Sequence, residues 1–161
     1  MSWRRADPAA AGRMLASWHA VRWPLHRPEF DATAGRLGWR ITRESEHSLG
    51  VDAGLGVGPE EVTVIVGATG EAGLGELTAE LVENPMVDTA EARAFLQDTF
   101  AGIAAVAIAA LGAPTHRRLG DRPELRWRGE TGTLTLCRTA RRVNMRVQST
   151  VMQDLEDSLE F

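Results

Sequence analysis

An almost uncharged stretch from Phe95 to Leu111 constrains this fold more than any other part of the sequence. Asp98 is its only charged residue. Asp88 followed by Glu91 resembles a capping box, in which an acidic side chain bonds the first amides of a helix. The sequence therefore predicts a helix that starts near Asp88 and ends at Leu111. Because it is apolar nearly all round from Phe95 onward, we predict that it is the central, buried helix of the fold.

The same stretch does not indicate a membrane span. Its longest wholly apolar run, residues 100–111, is shorter than the ~20 residues that a bilayer requires. Arg4 and Arg5 are followed by Asp7 and Pro8, which interrupt the hydrophobic segment that an export signal needs. With 25% charged residues and a mean hydropathy of −0.19, we expect one soluble cytoplasmic domain over residues 1–161 with no membrane partner.

Apolar residues that alternate with polar ones predict strands on both sides of this helix. The first group of strands comprises 39–42, 49–57, 62–66 and 77–81, and the second comprises 124–128, 133–137 and 143–148. Residues 77–81 also fit a helix, although alternation favours a strand; residues 70–75 read as a loop. The short links in the second group are typical of an antiparallel meander with one solvent-exposed face.

Helical periodicity marks the two ends of the chain. It predicts a helix over residues 8–22, a second helix after Pro28, and a closing acidic helix over 150–161 with Val151, Leu155 and Leu159 directed inward. The complete order indicates an α+β fold. We predict an antiparallel sheet packed on a central buried helix, with an N-terminal helical pair and a C-terminal helix.

The sequence offers no motif for catalysis. All 18 basic residues are arginine, which excludes Schiff-base lysines and P-loop chemistry. Cys137 is the only cysteine and falls in a strand, so it reads as a buried small side chain. The four histidines lack metal-ligand spacing, and the glycine-rich segment 54–58 lacks a dinucleotide-binding register. We therefore expect no catalytic residue, no metal and no cofactor, and hence not an enzyme.

Charge is strongly segregated along the chain. Residues 1–43 carry a net +5, residues 44–98 a net −11, and residues 117–146 a net +6. Two hypotheses follow: the blocks pair with one another on the folded surface, or the acidic block forms a face for a basic protein. The candidate partner-binding residues under the second hypothesis are Asp52, Glu60, Glu61, Glu76, Glu80 and Glu83.

A second charge pattern lies in the C-terminal strands. Arg126, Arg128 and Arg146 fall on the same strand parity, so they are predicted to share one polar face of the sheet. Guanidinium groups on one face could bind phosphates or carboxylates. Nucleic-acid binding is not expected, because the net charge is −4 and the polar face carries no aromatic residues.

Several segments carry a resemblance to known proteins. They are Arg36-Leu-Gly-Trp39 after an early tryptophan-containing helix, Leu111-Gly-Ala-Pro-Thr115, Pro123 to Arg128, and Thr133-Leu-Thr-Leu136. Together they resemble a small uncharacterised cytoplasmic family of high-GC bacteria, some of whose members look like immunity proteins beside secreted polymorphic toxins. The order of elements is also similar to the secretion-chaperone or YbjN-like fold, which binds protein clients.

The resemblance implies a non-catalytic protein-binding domain. It would be an immunity-type neutraliser or a chaperone, and its partner would be a basic secreted toxin or effector. The alternative is a regulatory domain that binds a small molecule in a cleft between the sheet and the N-terminal helices.

Overall fold

The computed structural model describes residues 2–58, 61–66 and 73–159. Its helices are α1 (Pro8–His19), α2 (Arg27–Arg36), α3 (Ala90–Leu111) and α4 (Thr150–Leu159). Its strands are β1 (Arg40–Glu44), β2 (Ser48–Asp52), β3 (Val62–Val66), β4 (Leu74–Glu80), β5 (His116–Arg118), β6 (Glu124–Arg128), β7 (Gly132–Arg138) and β8 (Val143–Ser149). Residues 70–72 of the loop predicted over 70–75 lie outside the described residues. Leu74 and Gly75 belong to β4, so the prediction is wrong for these two residues.

All these strands form one antiparallel sheet in the order β1-β2-β3-β4-β8-β7-β6-β5. Two meanders join where β4 pairs with β8, which places Leu77 opposite Val147. The fold is therefore α+β, as predicted. The strand predicted over 77–81 is confirmed for residues 77–80, which belong to β4. The short strand β5 is not among the strands predicted from alternation; its His116 pairs with Arg126.

Three helices and the sheet enclose the main core. Helices α1 and α3 pack on each other and on the same face of β7 and β8. That face supplies Leu134, Leu136 and Val147, all fully buried. Helix α2 joins the core through Phe30, whose ring stacks on Trp18 of α1 at a centroid distance of 5.7 Å.

Helix α3 packs against the sheet but is not buried all round. Ile103 and Ala107 are fully buried, whereas Ile108, Ala109 and Ala110 are exposed. By length and composition α3 could cross a membrane, with a mean hydropathy of 1.7 in its most apolar window, but core helices of soluble proteins share that property. The uniformly apolar sequence does not show that α3 has one buried and one exposed side, because alanine is common both in cores and on surfaces.

The start of α3 also differs from the prediction. Thr89 is the N-cap residue, and its hydroxyl accepts a hydrogen bond from the amide of Ala92 at 3.1 Å. Asp88 instead forms an ion pair with Arg93 at 2.6 Å. Threonine and aspartate are both good N-caps, so their order in the sequence does not decide between them.

Strand β2 ends earlier than the alternation of residues 49–57 predicts. Gly54 and Gly56 adopt positive φ angles of 70° and 80°, which turn the chain out of the sheet. The resulting loop is held by Glu61, whose carboxylate accepts hydrogen bonds from the amides of Leu55 (2.9 Å) and Val57 (2.7 Å). The alternation of polar and apolar residues therefore continues to Val57, although strand β2 ends at Asp52.

Two helical glycines provide a test of the α1–α3 contact. A Cβ atom added at Gly12 would overlap Cγ1 of Val106, whereas one added at Gly102 would meet no atom within 4 Å. We expect Gly12→Ala to lower the free energy of unfolding by about 1–3 kcal/mol through overpacking. Gly102→Ala should raise it by about 0.5–1 kcal/mol, because alanine favours the helix. Urea denaturation measures both values; a stabilising Gly12→Ala would contradict the close crossing.

Candidate functional site

Helix α4 directs its apolar side chains toward solvent. Val151, Met152, Leu155 and Leu159 are 79, 43, 51 and 65% exposed, whereas Thr150 and Gln153 are buried. The prediction that Val151, Leu155 and Leu159 point inward is therefore wrong. We call these four side chains the outer face of α4.

The reason for this orientation is the polar sheet face beneath α4. The register aligns Arg126 of β6, Thr135 of β7 and Arg146 of β8 in one row. The adjacent row aligns Arg128 with Thr133 and Gln148. The prediction that the three arginines share a sheet face is confirmed, and we call them the arginine face.

The acidic residues of α4 bind the arginine face. Asp157 pairs with Arg126 at 2.9 Å and Glu156 pairs with Arg146 at 3.2 Å. Asp154 accepts hydrogen bonds from both Nη atoms of Arg128, with Oδ2 at 2.9 Å from Nη2.

The pairs on the arginine face also shift two ionisation equilibria. The hydrogen bond from Arg128 holds the pKa of Asp154 below its usual value, and the same bond raises the pKa of the Arg128 guanidinium. Both groups therefore remain charged at neutral pH. The contact between α4 and the sheet thus depends on charge and hydrogen bonds, with little apolar burial.

A small cavity remains between α4 and the sheet. It has a volume of about 150 Å³ and is lined by Arg126, Arg128, His116 and Asp157, among others. The Nε–H of Arg126 is buried without an acceptor, and the Oγ1 of Thr135 on the neighbouring strand is also buried and unpaired. Buried donors without partners are rare in folded proteins, because their desolvation is not compensated.

The six acidic candidate residues have separate surroundings. Asp52 pairs with Arg40 (2.9 Å), Glu76 with Arg146 (3.8 Å), Glu80 with Arg142 (3.0 Å) and Glu83 with Arg4 (3.5 Å). Glu61 is only 2% exposed, and Glu60 lies outside the described residues. Charged blocks that are distant in sequence therefore pair on the folded surface, as the first charge hypothesis predicts.

Three of the six acidic candidate residues lie close together. Glu61, Glu80 and Glu83 line one shallow cavity together with Arg142. Hydrogen bonds from the amides of Gly54 and Arg4 are the main reason that the pKa values of Asp52 and Glu83, respectively, lie below normal. Whether these acids bind a partner stays a prediction.

Cys137 differs from its predicted place in the core. It lies half-buried on the polar sheet face, and its Sγ donates to Oδ1 of Asn144 at 2.8 Å. Burial raises the pKa of the thiol, which keeps it protonated and unreactive at neutral pH. Among the residues that the structure describes, no cluster of His, Cys, Asp and Glu could hold a metal ion.

The cleft expected between the sheet and the N-terminal helices has a different location. A cavity of about 410 Å³ lies beside α1 and α2 and is lined by Ser17, Arg22, Glu29 and Arg36, among others. Its lining comes from residues 17–36 and includes no strand residue. It is an open surface groove of the helical pair.

Comparison with known proteins identifies the family. A family model described as a family of unknown function (DUF6301) matches residues 9–149. The chain belongs to the DUF6301 family. The match of this DUF6301 member covers α1 through β8, including the arginine face, and ends immediately before α4. No curated protein and no solved structure matches the chain.

The outer face of α4 was not predicted from the sequence. Periodicity predicts the helix and its apolar stripe, but not the direction of that stripe. A signal was available: the strands preceding α4 place three arginines on one sheet face, and the helix that follows carries three acids and no basic residue between 150 and 159.

Proposed function

We propose that this DUF6301 protein is a non-catalytic binding domain for another protein. Its role would be that of an immunity-type neutraliser or chaperone of a basic secreted toxin or effector, in the cytoplasm. The observation that carries the proposal is the outer face of α4, where four large apolar side chains are exposed on one surface helix.

Exposing a contiguous apolar face to water is energetically unfavourable, and a bound partner that covers the face removes this cost. Single exposed apolar side chains are ordinary, but a contiguous stripe on an amphipathic helix is typical of a docking surface. Met152 and Leu155 give a partner flexible and branched groups to bury. The arginine face holds the opposite side of α4, so the helix presents this stripe in one orientation.

Charge favours a basic partner over a second copy of the chain. Helix α4 carries Asp154, Glu156 and Asp157 and no basic residue. Each of these carboxylates pairs with an arginine of the sheet, but its side chain remains 39–50% exposed. Two copies that met through α4 would bring the exposed parts together, whereas basic groups around an apolar groove would complement them. The net charge of −4 acts in the same direction over longer distances.

Photocrosslinking in the native host can test the proposal. A photoreactive amino acid replaces Leu155 in one chain, and replaces Leu119 in a control chain whose exposed leucine lies outside α4. We expect residue 155, but not residue 119, to crosslink to a basic protein. That protein, once purified, should lose at least about tenfold in affinity for Leu155→Glu and retain its affinity for Leu119→Glu.

The activity of the captured protein distinguishes the two roles. Loss of its toxic activity in the complex with an already folded toxin would indicate neutralisation. Unchanged activity in the complex, together with aggregation of the partner when it is produced without this chain, would indicate a chaperone. Crosslinking only to a second copy of the chain, or equal affinities of the two glutamate variants, would contradict the proposal.

A further inference from the structure

A groove lies between the N-terminal arm of the chain, residues 2–5, and the first half of α3. It has a volume of about 440 Å³ and is lined by Ser2, Trp3 and Arg5 of the arm and by Glu91, Ala94, Phe95 and Asp98 of α3. Because α3 packs on β7 and β8 from the core side and α4 packs on the arginine face, the groove and the outer face of α4 lie on opposite sides of the sheet.

Hydrogen bonds fix the arm that forms one wall of the groove. The amide of Glu83 donates to the carbonyl of Arg4 at 2.8 Å, and the amide of Arg4 donates to the Glu83 carboxylate at 2.8 Å. Arg5 forms an antiparallel bridge with Val82. Trp3 and Arg5 both line the groove, because alternate side chains of an extended backbone point to the same side. The groove is therefore formed by the fold itself.

Two aromatic rings form the apolar part of the groove. The ring of Trp3 lies 5.5 Å from that of Phe95, at an interplanar angle of 44°. Phe95 packs against the core, but both aromatic side chains are only partly buried. Ala94, next to Phe95 on α3, is exposed and too short to cover the rings. Part of the aromatic surface is therefore accessible to a partner.

Two carboxylates beside the rings have no cationic partner. Glu91 and Asp98 are exposed and seven residues apart, which places them on the same side of α3 and about 10 Å apart along its axis. In the part of the chain that the structure describes, neither forms an ion pair, although Arg5 lines the same groove and Asp88 nearby pairs with Arg93. With two carboxylates and one guanidinium group, the lining has a net negative charge.

We propose that this groove binds an arginine side chain from an exposed segment of a basic protein. A guanidinium group stacks on aromatic rings and donates paired hydrogen bonds to a carboxylate, and the groove holds both kinds of group side by side. Asp98 is the main acceptor, because Glu91 lies in the first turn of α3, where the helix dipole opposes a cation. The methylene groups of the arginine would cover the exposed surface of Ala94 and Phe95.

The inference takes its class of partner, a basic protein, from the proposed function, but it concerns a different surface. The groove shares no residue with the outer face of α4. Leu155→Glu should therefore leave the affinity of the groove for arginine unchanged. Failure of one surface to bind is thus distinguishable from failure of the other.

An NMR titration of the full chain, labelled on its tryptophans, tests the groove. The titrant is the peptide acetyl-Gly-Gly-Arg-Gly-Gly-amide, and a second peptide has citrulline in place of arginine, which keeps the shape and removes the charge. We expect the indole signal of Trp3 to shift and to saturate with a Kd below about 10 mM for the arginine peptide. The citrulline peptide should bind at least about fivefold more weakly.

Substitutions at the charged residues of the groove should change this affinity in opposite directions. Asp98→Asn should weaken binding of the arginine peptide at least about fivefold, because it removes the main acceptor. Arg5→Gln should tighten binding about twofold or more, because it removes a like charge from the lining. Both residues are exposed, so the core stays intact, and thermal melting verifies that both variants fold.

Glu130→Gln is the matched control. Glu130 is an exposed carboxylate on the hairpin between β6 and β7, outside the groove, so this variant removes the same charge as Asp98→Asn. It should bind the arginine peptide within about twofold of the original chain.

Three results would overturn the inference. One is a Trp3 signal that does not saturate up to ~10 mM of the arginine peptide. Another is equal affinity for the arginine and citrulline peptides, which would exclude recognition of the guanidinium group. The third is an equal loss of binding in Asp98→Asn and Glu130→Gln, which would indicate nonspecific attraction to an acidic protein.

Discussion

Replacement of Trp18 by alanine is expected to lower the free energy of unfolding by about 3–5 kcal/mol, the range for a fully buried large aromatic residue. Trp18 is the largest fully buried side chain among the residues that the structure describes. Its ring lies 5.7 Å from that of Phe30 in α2 and 5.0 Å from that of Trp39, which precedes β1. The substitution would therefore remove the group that joins α1 to α2 and to the first strand.

Chemical denaturation followed by circular dichroism measures this loss. Trp18→Phe is the control, because phenylalanine keeps an aromatic ring and eliminates an indole N–H that is buried without an acceptor. Its effect should be well below that of alanine. If alanine cost less than ~1 kcal/mol, the three-ring cluster would not contribute to the core as the structure indicates.

Replacement of Ile103 by alanine is expected to cost about 2–5 kcal/mol, since Ile103 is fully buried between α3 and the rest of the core. Ile108→Ala on the same helix should cost less than about 1 kcal/mol, because Ile108 is partly exposed and alanine is a good helix former. Both values come from urea denaturation at the same protein concentration.

The difference between the two isoleucine variants tests the two-faced nature of α3. Similar large losses at both positions would indicate that the outer side of α3 is covered in solution. A dependence of the midpoint on protein concentration would then identify the cover as a second copy of the chain.

Much of the fold follows from local patterns. Strands β3 and β6 have the predicted bounds, and residues 77–80 of the ambiguous segment 77–81 are a strand. These predictions are correct because successive side chains of a strand point to opposite faces, so alternating polarity indicates a strand at any position in the sheet. Strand β5 escaped prediction, since its His116, Arg117 and Arg118 are all polar and exposed and so carry no alternation.

The candidate sites were predictable only in part. Strand parity placed Arg126, Arg128 and Arg146 on one face, and the structure confirms that placement. Parity cannot reveal that Glu61 turns inward, because its burial depends on the positive φ angles of Gly54 and Gly56 and on the amides that they orient. Nor can it pair Glu80 with Arg142, 62 residues away.

Periodicity and charge in the sequence by themselves determined the α+β class, the helix that packs on the sheet and the shared face of the arginines. The tertiary structure alone decided the direction in which α4 faces. An amphipathic helix shows which side chains lie together, but their orientation depends on the surface that the helix meets. Because β8 leads α4 onto a sheet face lined by arginines, carboxylates pack inward and the apolar residues Val151, Leu155 and Leu159 remain in solvent.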